Sequence, residues 1–169
     1  MMPRVIRSRV VVIAIAIAAL ILLGIALVLV SRLGGDSRSP RADPENAAQV
    51  ALGEQVYRAH CASCHGAELE GQPDWRARLP DGRMPAPPHD ETGHTWHHPD
   101  AMLFRITKEG LAAMVPGYQS AMPRYLEVLN DEEIWAALAF IKSRWPEKVR
   151  AHQAELGAPG GAATTRAPR

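Results

Sequence analysis

The chain has two cysteines, Cys61 and Cys64, and they stand in "AHCASCHGAE" (residues 59–68) with His65 directly after the second. Sulfur and imidazole at this spacing support four chemistries: a disulfide, a redox dithiol, half of a zinc site, or the attachment of a haem. A thioredoxin-like dithiol belongs at a strand–helix junction. A tetrahedral zinc site needs two more ligands, and there is no further cysteine to supply them. Haem attachment needs only what is present. Two thiols one helical turn apart can add to the vinyl groups on one porphyrin edge, and the adjacent histidine can then reach the iron.

The elements around this motif narrow the choice. Residues Val10 to Val30, "VVVIAIAIAALILLGIALVLV", are apolar throughout, long enough as a helix to span about 30 Å of hydrocarbon. Arg4, Arg7 and Arg9 precede the run, which predicts a cytoplasmic N-terminus (1–9), a transmembrane anchor (10–30) and an extracytoplasmic, periplasmic domain on the inner membrane. No Ala-x-Ala-like cleavage site follows the run, so an uncleaved anchor is expected. Residues 31–45 are rich in Gly, Ser, Pro and charge and read as a flexible linker, residues 46–148 as the folded domain, and 149–169 as a disordered tail.

Within the domain the periodicity is helical and no useful stretch alternates like a strand, so the fold class is all-α. Val50, Gly53, Tyr57 and Cys61 share one face of a helix over 46–62. A second helix is expected over 99–109, with Pro99 at its start and Gly110 as its stop. A third begins at Asn130, has Glu133 three residues on, carries the stripe Ile134, Leu138, Ile141 and Trp145, and ends at Pro146. Residues 66–98 are too long for an ordinary connection and read as a functional loop.

A haem iron also needs a partner on its other face. Met102 falls on a helical stripe and Met114 in an apolar stretch, where packing is the expected role. Met84 and Met122 each precede a proline in an irregular segment, from which a side chain can be aimed at a ring. Met122 is favoured because a whole helix separates it from the motif, and Met84 is the alternative. A histidine, or no sixth ligand, stays open.

"GEQVYRAHCASCHG", followed much later by "AMPRYLEVLNDEEIWAALAFIKSRWP", resembles the monohaem class I cytochromes c. The resemblance covers roughly residues 46–146. It implies a small all-α domain in which N- and C-terminal helices cross, with one haem c held covalently by Cys61 and Cys64, and His65 and Met122 as axial ligands. It also implies that Gly53 and Tyr57 meet the stripe of Ile134 and Leu138 at the crossing. Cytochromes c′ carry the motif near the end of a bundle, whereas here it opens the domain. The long 66–98 loop is a departure from a small cytochrome.

That loop places His89, His94, His97 and His98 within ten residues. Trp96, His94 and Tyr118 are candidate haem-edge contacts, His98 a candidate cap for the next helix, and His60 a solvent-facing residue. A copper site in the loop is the sharper alternative, but an additional metal is not the expectation. Residues 46–150 carry eleven Lys and Arg against fourteen Asp and Glu, which excludes nucleic acid as a partner. The expected function is one-electron transfer between a redox donor and acceptor at the membrane, without catalysis. Its rivals are a metal-handling or assembly protein and a haem peroxidase or gas sensor with an open sixth site.

Overall fold

In a computed structural model of the chain, residues 17–26 and 41–157 are described. They belong to two units that divide after Ser39. In the first unit, residues 17–26 form a helix, α1. Among the described residues no helix is long and apolar enough to cross a membrane. The remainder of the expected span (10–16 and 27–30) lies outside the described residues, as do 1–9, 31–40 and 158–169.

The second unit has no strand among its described residues. It runs through α2 (Ala47–His60), α3 (Ala62–His65), a 3-10 turn (Thr95–His97), α4 (Asp100–Glu109), α5 (Leu111–Met114), α6 (Asp131–Ser143) and α7 (Glu147–Leu156). Helix α2 starts where the Asn46 side chain accepts the Gln49 N–H at 3.1 Å. Helix α6 starts on a full capping box. Asn130 accepts from the Glu133 N–H (3.0 Å), and the Glu133 carboxylate accepts from the Asn130 N–H (2.8 Å). Between Ile134 and Ile141 only Trp135 escapes burial, so α6 forms the centre of the core.

Helices α2 and α6 make the main packing contact of the unit. They touch closely at Gly53, where an added Cβ would strike the Ala136 carbonyl and lie 3.0 Å from the Cβ of Phe140. The Tyr57 ring packs on Phe140, centroid to centroid 5.3 Å. Nearest to Gly53 at the crossing are Ala136 and Phe140, and the expected Ile134 and Leu138 are buried in the same core cluster as Tyr57.

Helix α4 is tied to α6 by charge. Lys142 is buried, and its ammonium donates to both oxygens of Asp100, at 2.9 and 2.7 Å. Asp100 sits in the first turn of α4, where a carboxylate meets the positive end of the helix dipole. Asp100→Ala would leave a buried ammonium unpaired and is expected to cost about 3 kcal/mol, the low end for a broken buried pair because Asp100 keeps some exposure. Urea denaturation of Asp100→Ala beside Lys142→Met checks this. The methionine, which removes the charge instead of orphaning it, is expected to cost clearly less.

Two sequence expectations are corrected at the edges of this unit. The predicted tail from 149 onward is helical as far as Leu156 and docked. Val149 and Gln153 are buried, and Gln153 donates to the His98 carbonyl (3.1 Å) and to Asp100 (2.6 Å). Helix α7 has almost no apolar stripe to announce it, because a buried glutamine makes much of its attachment. The last residues of the predicted linker are not free either. Ala42 is buried, the Asp43 N–H reaches Gln49 (2.9 Å), and Gln49 donates back to the Arg41 carbonyl (3.0 Å).

Candidate functional site

Helix α2 delivers Cys61 at its C-terminal cap, and the single turn α3 carries Cys64 and His65. Buried tyrosines hold this segment at both ends. The Tyr125 hydroxyl donates to the His60 carbonyl (2.6 Å) and the Tyr57 hydroxyl to the Gly66 carbonyl (2.9 Å). His60 is half-buried beside Tyr125, not fully turned to solvent as expected.

No disulfide joins the two cysteines. Cys64 is exposed, and Cys61 is half-buried against the core. Burial, with Cys64 beside it, pushes the Cys61 thiol up to about 11.

His65 is buried, and its Nδ1 lies 2.8 Å from the Pro87 carbonyl oxygen. A carbonyl can only accept, so Nδ1 carries the proton and Nε2 keeps its lone pair. Burial lowers the His65 pKa against the opposing pull of that hydrogen bond, which favours the neutral, ligating ring. The long loop supplies the acceptor by doubling back. The Gly71 N–H donates to the His65 carbonyl (2.7 Å), and Gln72 exchanges two 2.9 Å bonds with Ala86. Gly71 has a positive φ of 70° and packs so closely on Pro87 and Pro88 that a Cβ would strike their backbone. Nothing local in the sequence signals Pro87, which is 22 residues from its partner.

Met122 lies in the irregular stretch between α5 and α6. It packs against the core and lines a cavity of about 700 Å³ together with Arg83, Glu109, Leu111, Tyr118 and Arg124, a wall to which Cys61, Cys64 and His65 do not contribute. Of the expected haem-edge residues the structure brings Tyr118 to this cavity. Met84 is half-buried on the loop and is not in the cavity wall. His94 stacks on Trp75 (5.5 Å, 12°), while Trp96 stacks on His97 (3.6 Å) and donates to the Glu91 carbonyl (3.2 Å). Neither lines the cavity. His98 does not cap α4, whose N-terminal cap is Pro99. His89 stacks on His65 at 4.0 Å and 21°. Among the described residues no three His, Cys, Asp or Glu side chains converge on a point that could hold a metal ion.

The sequence profile of the family described as "Cytochrome c" matches residues 50–145, more than half of the chain. The chain belongs to the cytochrome c family. No curated protein and no solved structure matches it. As a c-type cytochrome it carries haem c, bound covalently, and the donor set is suited to that group. Two cysteines outside any disulfide flank one turn, and beside them is a histidine whose Nδ1 is occupied and whose Nε2 is not. The all-helical domain and a haem-based electron carrier follow from the same family membership.

Proposed function

We propose that this cytochrome is a membrane-anchored, monohaem class I carrier that passes single electrons in a respiratory or other membrane-associated redox chain, with its haem domain on the extracytoplasmic side of the inner membrane. The observation that carries the ligation is the His65 Nδ1–H donated to Pro87, which leaves Nε2 as the free donor. The apolar run 10–30 with its preceding arginines supports the anchor. When bound, the haem supplies a reversible one-electron couple at iron.

The residues around it have separable tasks. Cys61 and Cys64 would hold the porphyrin edge, and the hydroxyls of Tyr57 and Tyr125 fix the turn that presents them. His65 would ligate the iron, with its basicity raised by the carbonyl that accepts its other N–H. Met122 is the proposed distal ligand, supported by the Met-Pro step that precedes α6, as the family resemblance implies, and by its packing against the core of the haem domain. A filled sixth position leaves no open iron site for a substrate, in keeping with electron transfer. The anchor and linker would keep the domain close to membrane-bound donors and acceptors and so raise their effective concentration.

Visible spectra of the haem-loaded protein, oxidised and reduced, test this reading. Wild type is expected to be low-spin with a sulfur ligand and slow to bind CO. Met122→Ala is expected to become high-spin and to bind CO readily, while Met84→Ala stays as wild type. A wild type that binds CO at once would overturn the carrier mechanism. The opposite outcome for the two variants would move the distal ligand to Met84.

A further inference from the structure

His89 is the loop histidine that the electron-carrier reading does not use, and it lies closest to the site. Its ring stacks on His65 at 4.0 Å with 21° between the planes, and the edge of Tyr57 meets it at 6.2 Å. It is pinned from several directions. Its backbone N–H donates to the Leu69 carbonyl (2.7 Å), and its carbonyl accepts the indole N–H of Trp145 (2.7 Å) just beyond α6. Its Nδ1 sits 2.8 Å from the hydroxyl oxygen of Thr95, a buried residue whose own proton points towards the Pro88 carbonyl at 3.5 Å. The loop and the end of the central helix thus hold one imidazole flat against another.

We propose that His89 is a positioning residue for the proximal ligand, its stacked ring fixing the plane in which His65 presents Nε2. A single hydrogen bond at the edge of a ring is a pivot. The His65 Nδ1–H can keep its bond to Pro87 while the ring swings about the N–H···O axis. A face contact at 4.0 Å blocks that swing. The orientation of a ligating imidazole is one of the levers by which surrounding residues tune a metal, and in a low-spin ferric haem it sets the in-plane magnetic anisotropy. The sequence showed His89 as one of four loop histidines. The fold places its ring against His65.

The inference rests on His65 being an iron ligand, and the test separates the two. Haem-loaded full-length wild type, His89→Ala, His89→Phe and Thr95→Val are compared by ferric EPR and by the paramagnetically shifted haem-methyl resonances in NMR. Covalent haem content is measured alongside. His89→Ala is expected to keep covalent haem and a low-spin iron but to change the g-anisotropy and the order of the methyl shifts. His89→Phe, which restores a flat face, is expected to return both towards wild type. Thr95→Val, which frees the His89 ring without removing it, should move them in the same direction as His89→Ala, but less. Wild-type spectra from His89→Ala would overturn the proposal. If that variant fails to take up haem, an unchanged spectrum in Thr95→Val overturns it. A wild type lacking a low-spin, histidine-ligated iron would instead sink the ligation reading itself.

Discussion

Gly53→Ala is expected to destabilise the haem domain by about 3 kcal/mol or more, a large part of the stability of a domain this size. In an isolated helix the same change would favour folding by about 1 kcal/mol, because alanine is the better helix former. Here the new methyl would land on the Ala136 carbonyl oxygen and press the Cβ of Phe140. The atom in the way is backbone within the most buried helix, so it cannot rotate aside as a side-chain tip could. Relief requires α2 and α6 to separate, and that would loosen Val56, Tyr57, Ile134 and Phe140 together. Tyr57 would in turn lose its hold on the Gly66 carbonyl beyond His65. Urea or thermal denaturation of the haem-loaded protein checks the size of the effect, and a wild-type midpoint would mean that the helices do not cross at this residue.

His65→Ala is expected to abolish the low-spin spectrum and also to weaken the fold, by about 2–4 kcal/mol from two sources. Removing a buried ring leaves a cavity, and the Pro87 carbonyl is left without its donor inside the domain. His89 loses the face it rests on. The change therefore reaches from the motif into the loop, and the stretch around Pro87 and His89 should lose protection from amide hydrogen exchange while the centre of α6 keeps its own. Covalent haem is expected to remain, because both thiols are still in place. A variant with an unchanged Soret band and unchanged exchange around His89 would remove His65 from the role assigned to it.

These expectations show where the sequence was readable. The capping box of Asn130 and Glu133 and the stop at Gly110 are contacts between residues within a few positions of each other, so the residue types alone foretell them. That Ala136 and Phe140 come nearest to Gly53 is not legible in the stripe of Ile134, Leu138 and Ile141, because α6 is buried on nearly every side. Helix α7 was read as tail because its attachment is a buried glutamine bonded to distant backbone, invisible to any hydrophobic period. The sequence assigns His89 no role apart from the loop, and the fold sets its ring against His65.

Residue order by itself determined that two thiols and a histidine occupy one turn at the start of an all-α domain, because that arrangement is made by neighbours along the chain. Only the tertiary structure decided which nitrogen of His65 is free and that His89 lies against its face. Those outcomes depend on groups tens of residues apart, such as Pro87 and Trp145, that meet only when the loop closes against the helices.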